Sequence, residues 1–306
     1  MAELIQDQAE GLRRLLVQDS LRIVTVTSGT TGSGKTAMVI NLAAALSRSG
    51  KDVLIIDENA GANNVGGTLG LNAHRDLLDV VRRDKTLDEV VTVGPEGIRL
   101  LPAGRGMRVL RKLSENDQVH LIESFRDFAR PMDVVLVDAA PVRDSRLLSL
   151  TASSHEIVVM VSPQPTSITA AYSLIKNISG DHGKQQFRVL VNQVGTETAA
   201  QMIFDNMAKA ASRYLEVSLD FMGFVPTDDK LRQSLRSGRP VIQAFPGAAS
   251  ATAFRRVAES LIRLPCRESE DKGESKGLEG LMQRLLQNSR STPINSTAAG
   301  LQVNHV

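Results

Sequence analysis

Five consecutive β-branched residues, Ile23-Val24-Thr25-Val26-Thr27, run almost directly into Gly29-Thr30-Thr31-Gly32-Ser33-Gly34-Lys35-Thr36. β-Branching stiffens the side chain and suits a strand buried on both faces. The octet fits G-x-x-x-x-G-K-[ST], a loop whose backbone N–H groups cradle the phosphates of a nucleotide. Residues 36–46 then hold no Gly or Pro and continue as a helix as far as Gly50. A phosphate at that helix N-terminus meets unpaired N–H groups and the positive end of the dipole. Strand, loop and helix together predict a nucleoside triphosphate held by Gly29, Thr30, Thr31, Gly32, Ser33, Gly34, Lys35, Thr36 and Ala37. Lys35 is expected to reach the β- and γ-phosphates, and the Thr36 hydroxyl to ligate Mg²⁺.

Strand-like runs at 22–28, 52–57, 97–101, 133–138, 156–161, 187–192 and 221–225 alternate with helical stretches at 36–48, 116–129, 166–179, 197–213 and 249–263. This alternation predicts an α/β fold, a doubly wound, mostly parallel sheet with helices on both faces. Aromatic residues make up 3% of the chain and Trp is absent, so the core must be aliphatic. The single cysteine, Cys266, excludes a disulfide framework and any all-cysteine cluster or zinc site within one chain. A formal net charge of +2 gives no argument for nucleic acid. Neither a signal peptide nor an 18-residue apolar run is visible, so a cytoplasmic protein is expected. The expected organisation is an N-terminal segment at 1–18, a nucleotide-binding domain at 19–264, a charged linker at 265–276, an amphipathic helix at 277–289 and a disordered tail at 290–306.

Two acids end strands. Asp57 follows Val53-Leu54-Ile55-Ile56, and Asp138 follows Val134-Val135-Leu136-Val137. Open α/β sheets bind ligands at the carboxyl ends of their strands. An acid there is often only a helix cap, but the phosphate loop independently demands a carboxylate near the ion. Thr36, Asp57 and Asp138 are therefore the expected metal residues, with Asp138 holding the water shell of Mg²⁺.

The order of phosphate loop, Asp57, Asn63-Asn64-Val65 and Asp138 resembles the MinD/ParA group of P-loop ATPases. Within it the chain is similar to the FlhG (FleN) family of flagellar-number regulators. Asp7-Gln8-Ala9-Glu10-Gly11-Leu12-Arg13 is similar to that family's D-Q-A-x-x-L-R element. Pro165-Thr166-Ser167-Ile168-Thr169-Ala170-Ala171-Tyr172 resembles its P-T-S-I-T-D-A-Y segment. Leu219-Asp220-Phe221-Met222-Gly223-Phe224-Val225-Pro226 resembles L-D-Y-L-G-x-I-P. The resemblance runs from about residue 5 to about 263. It implies ATP and Mg²⁺ as cofactors and a homodimer formed with ATP. It implies Asn192 on the adenine edge, and Pro226 and Asp228 in the loop that walls the base. It also implies a partner GTPase, FlhF, whose GTP hydrolysis is stimulated by Asp7, Gln8, Ala9, Leu12 and Arg13, together with a flagellar transcription activator as a further partner.

Two departures bear on turnover. The family's early loop lysine, which reaches the partner subunit's phosphate, is Thr30 here. The second acid of its D-x-D motif, which orients the attacking water, is Asn59 in Asp57-Glu58-Asn59. An amide holds a water but cannot take its proton, and loss of a positioned base costs about 10²–10⁴-fold in rate. Lys35, Asp57 and Asn59 are the candidate catalytic residues, and ATP hydrolysis is expected to be slow or absent. Glu58 is a poor substitute, because neighbours on an extended backbone point to opposite sides.

Near the C-terminus, Leu278, Leu281, Met282, Leu285 and Leu286 fall on one helix face. In MinD-like proteins such a helix contacts the membrane, so peripheral association at the inner face of the cell membrane is expected. The alternative is a helix folded back on the body. Two other readings compete with the flagellar switch. One is a ParA-like DNA-segregation ATPase, using Arg232, Arg236, Arg239, Arg255, Arg256 and Arg263 as a basic face. The other is a nucleotide-binding scaffold with no turnover.

Overall fold

The computed structural model describes residues 21–61, 64–128, 130–140, 150–265 and 277–291. Eight strands form one sheet: β1 Arg22–Ser28, β2 Val53–Asp57, β3 Thr92–Val93, β4 Arg99–Pro102, β5 Val134–Asp138, β6 Glu156–Val161, β7 Gln186–Val194 and β8 Ser218–Pro226. Their order is β3-β4-β2-β5-β1-β6-β7-β8. Every pair is parallel except β3 with β4. The seven parallel strands are those the alternation predicts. The two-residue β3 escaped notice because it is too short to show any period.

Register positions the site. β1 lies between β5 and β6, with Val26 opposite Asp138 on one side and Val158 on the other. β2 pairs with β5 so that Asp57 stands beside Asp138. The end of β1 and both acids therefore meet at the carboxyl edge of the sheet, where the order reverses from one side of β1 to the other.

Seven helices of eight or more residues surround the sheet among the described residues: α1 Lys35–Arg48, α2 Glu115–Arg126, α3 Pro165–His182, α4 Glu197–Tyr214, α5 Asp229–Arg236, α6 Ala249–Arg263 and α7 Gly277–Ser291. Alternate residues of one strand feed opposite layers. Val24 and Val26 of β1 join α1 and α6 in one cluster, whereas Ile23 joins the cluster on the other face. That second face splits between α2 with α7, and α3 with α4. Small side chains let α1 sink between sheet and α6: Ala43 and Ala44 are fully buried and Ala45 nearly so.

The helix expected at the membrane is packed on the body. Leu281, Met282, Leu285 and Leu286 of α7 are buried, and they join Leu110, Leu121, Phe125 and Leu150 in one cluster. Leu278 is partly buried against it. The face expected to meet lipid is thus closed in this structure, as in the fold-back alternative. Being tethered to its own body gives that face a high local concentration of apolar surface to bury against. No described helix is long and apolar enough to cross a membrane.

Candidate nucleotide site

The phosphate loop is built by three glycines used in different ways. Gly34, at φ +91°, and Gly32, at φ +73°, take left-handed backbone that other residues adopt only with strain. Gly29 is needed for proximity, since a Cβ there would lie 2.2 Å from the Ala170 carbonyl carbon in α3. The P-T-S-I-T stretch thus opens a helix lying directly against the loop. Ser28, the last residue of β1, is the loop's hub. Its hydroxyl donates to Thr30 O at 2.7 Å and accepts from Ser33 Oγ at 2.7 Å and Lys35 Nζ at 3.3 Å. The sequence carried no signal for this role, because a serine between strand and loop looks like any turn residue.

Lys35 is nearly buried. Burial lowers its pKa, and the Asp138 carboxylate partly restores it. Thr36 Oγ1 donates to Asp138 Oδ2 at 2.7 Å. Asp138 Oδ1 is buried without a hydrogen-bond partner among the described residues. Burial first, and the Asp57 carboxylate second, push the Asp138 carboxyl up to about 7. A buried, orphaned carboxylate oxygen beside a hydroxyl and a second acid is a fitting place for a divalent cation, whose charge would relieve this repulsion. Among the described residues no three His, Cys, Asp or Glu are placed to form a metal cage. The donor set suits an ion that keeps waters and takes its other ligands from phosphate, as Mg²⁺ does.

Asp57 is placed differently from the metal role expected of it. Its Oδ1 accepts from Asn59 N at 3.0 Å and Asn59 Nδ2 at 2.9 Å, and its Oδ2 accepts from Val65 N at 2.6 Å. These bonds occupy both oxygens, so Asp57 in this conformation holds Asn59 after β2 and the backbone of Val65. Burial raises its pKa against the opposing hydrogen bonds from Asn59 and Val65. The Asn59 amide also donates to Asp138 O at 3.2 Å and so ties the two strand ends together. Glu58 points elsewhere, as strand alternation requires. Its Oε2 accepts from Ala140 N at 3.1 Å and its Oε1 from Leu150 N at 2.8 Å.

Asn192, at the end of β7, reaches the phosphate loop from the side. Its Nδ2 donates to Ser33 O at 2.9 Å and its Oδ1 accepts from Gln193 N at 3.0 Å. Here the amide braces β7 against the loop. Pro226 ends β8, and Asp228 caps α5 through Lys230 N at 2.9 Å. Asp228 Oδ2 also accepts from Ser250 N at 3.0 Å and Ser250 Oγ at 2.7 Å, fixing this loop to α6. Burial would raise the Asp228 carboxyl, but these hydrogen bonds outweigh it and hold its pKa below the ordinary value.

Other expected features are placed as follows. Asp7, Gln8, Ala9, Leu12 and Arg13 lie outside the described residues, as does Asn63. Of the six arginines of the supposed basic face, Arg232 pairs with Asp229, Arg263 with Glu259, Arg239 bonds Gln243, and Arg255 bonds Pro246 O.

Residues 24–241 match the family described as the CobQ/CobB/MinD/ParA nucleotide binding domain. The chain belongs to that family. It is 34% identical over 267 residues to the antiactivator FleN of Pseudomonas aeruginosa, covering 87% of this chain and 94% of that one. It is 22% identical over 267 residues to the flagellum site-determining protein YlxH of Helicobacter pylori, covering 87% and 90%. Among solved structures, the MinD cell division protein of Aquifex aeolicus superimposes with a TM-score of 0.62 at 22% identity, over 81% of this chain and all of that one. The fold is therefore the MinD-type P-loop architecture, and the chain is a homologue of FleN.

Proposed function

We propose that this protein is an ATP-operated switch that controls flagellar number or placement. The observation that carries the reading is a complete phosphate loop with the orphaned Asp138 oxygen beside Thr36, in a chain homologous to FleN. ATP would lie along residues 29–37. The Lys35 ammonium is already drawn to the loop by Ser28, and a γ-phosphate would compete for it. Thr36 and Asp138 would hold Mg²⁺, which when bound neutralises phosphate charge. A MinD structure from Pyrococcus horikoshii OT3, described as complexed with Mg-ADP, supports magnesium and an adenine nucleotide as ligands in general.

Turnover is slow or absent in this proposal. Thr30 brings no cation to a partner's phosphate, and the Asn59 amide is engaged by Asp57 and the Asp138 carbonyl. Occupancy of the site, and not cleavage, would then set the state. With ATP two copies form a homodimer across the loop, and α7 leaves the body to place Leu278, Leu281, Met282, Leu285 and Leu286 on the membrane. Two apolar helices in a dimer bind a bilayer far better than one. Residues 1–18 would stimulate an FlhF-like GTPase, with Gln8 orienting water. A flagellar transcription activator is the second partner, in keeping with the word antiactivator in the relative's name.

The test measures oligomer size and phosphate release together with no nucleotide, ADP–Mg²⁺ and ATP–Mg²⁺. The expected result is a dimer with ATP only, with little phosphate released, and a monomer throughout for Lys35→Ala. ATP-independent size, or ATP binding heat that survives Lys35→Ala, would overturn the proposal.

A further inference from the structure

Glu58 is a charged residue with almost no solvent exposure, and the nucleotide chemistry does not use it. Its two carboxylate oxygens accept from backbone N–H groups ten residues apart in sequence. Ala140 lies two residues beyond Asp138, and Leu150 opens the short helical turn 150–153. Its own N–H donates to Asp138 O at 3.1 Å. One residue thus grips the end of β5 beside Asp138 and the start of the turn at 150–153.

What stands on that turn gives the grip its consequence. Leu150 is buried in the same cluster as Leu281, Met282, Leu285 and Leu286, and α7 packs on residues 150–153 as well as on α2. A short hydrogen-bonded route from the end of β5 to the seat of α7 therefore passes through the Glu58 side chain, beside a longer one from β1 through Thr25 and Ser154 to Leu150 O. A methylene stem would give a softer link, since only an acceptor at both ends fixes the two N–H groups relative to one another. Charge-assisted hydrogen bonds are short and directional, and breaking one in a buried setting is costly.

We propose that Glu58 is a strut that couples occupancy of the Asp138 site to the docking of α7, acting as a positioning residue with no part in the chemistry. This rests on the reading that ATP releases α7. A movement of the β5 end when Asp138 and Thr36 take up a ligand is carried by the Glu58 carboxylate to Leu150, and Leu150 is part of the surface on which α7 sits. Coupling of this kind requires an element with two arrangements that both sites bias, and docked or released α7 is that element.

The experiment follows backbone hydrogen exchange of residues 278–287 in the full chain, with and without ATP–Mg²⁺, in wild type, Glu58→Gln and Glu58→Asp. The amide in Glu58→Gln keeps one acceptor, and Glu58→Asp keeps the charge but falls a methylene short of spanning both N–H groups. Wild type is expected to exchange faster in α7 when ATP–Mg²⁺ is added. Both variants are expected to exchange about tenfold or more faster in α7 without nucleotide, and to lose most of the ATP-dependent change. Their ATP affinity should stay within about twofold, with β1 and α1 protected as in wild type, which a general loss of stability would not produce. If Glu58→Gln does not fold, Glu58→Asp decides. A wild-type response retained in the variants, with unchanged basal exchange, overturns the strut alone. A wild type whose α7 ignores ATP overturns the strut and the release reading together.

Discussion

A methyl group at Gly29 tests whether the phosphate loop really depends on its contact with α3. The added Cβ would lie 2.2 Å from the Ala170 carbonyl carbon, 2.3 Å from its oxygen and 2.6 Å from Ala171 N. Ordinary contact begins near about 3.5 Å, so loop and helix must separate by roughly 1 Å. All three atoms are main chain inside an 18-residue helix, so no rotamer change relieves the clash. Overpacking of this kind costs about 1–3 kcal/mol, and backbone contact argues for the upper end, about 3 kcal/mol. For a chain of this length that lowers Tm by about 6 °C. Gly32→Ala is the control. It sits at φ +73° with nothing within 4 Å of its added Cβ, so it loses only the left-handed preference, about 1 kcal/mol. Urea melts and ATP titrations of both variants decide the matter. Gly29→Ala should be the less stable by about 2 kcal/mol, with ATP binding weakened about tenfold or more because the loop is pushed off its cradle. If Gly29→Ala proved as stable as Gly32→Ala and bound ATP normally, the close packing of loop on α3 would be wrong.

Three further outcomes are expected. Asp138 is pushed up to about 7, so ion binding must displace a proton below that pH. Apparent Mg²⁺ affinity with ATP should fall by up to tenfold per pH unit below about 7 and level off above it; a profile matching that of Asp138→Asn would refute this. The sign for ligand-free stability is opposite: a raised carboxyl pKa means the folded state holds its proton more tightly, so this contribution is greatest below the ordinary carboxylate range and is lost as pH rises toward 7. Asn59→Asp removes the side-chain amide donor to Asp57 Oδ1 and Asp138 O, leaving the backbone N–H on Asp57, and sets a carboxylate against Asp57; it should cost about 1–3 kcal/mol without ligand yet raise phosphate release above wild type, measured against a Lys35→Ala blank. An unchanged rate would mean that the missing carboxylate is not what limits turnover. Leu285→Glu buries a charge at a fully enclosed position of α7, so the helix should detach while the sheet stays folded; trypsin cleavage after Arg284 should speed up at least about tenfold, and cleavage at the wild-type rate would argue against the docked helix.

Periodicity and spacing made most of the sheet legible because seven of its strands are long, apolar and bracketed by helices. The same cues placed the phosphate loop, since a Gly-rich stretch between a β-branched strand and an Ala-rich helix admits few other structures. They failed at Thr92–Val93 and at the short helices such as Val65–Thr68, which span barely one period of the pattern and so show no repeat of it. They also failed to distinguish Asp57 from Asp138. Both are acids ending apolar strands, yet Asp57 spends its oxygens on Asn59 and Val65, whereas Asp138 keeps one oxygen unpaired among the described residues.

From the sequence alone came the α/β architecture, the nucleotide loop and the kinship to flagellar regulators, because these depend on short-range patterns written along the chain. Tertiary structure alone decided which backbone groups Glu58 grips, which acid is left open, that Asn192 braces the loop, and where the apolar face of α7 is buried. The physical reason is that amphipathic spacing specifies which side of a helix avoids water but not what covers it. A hydrogen bond between residues 58 and 150 exists only once the register of β2 against β5 has brought them together.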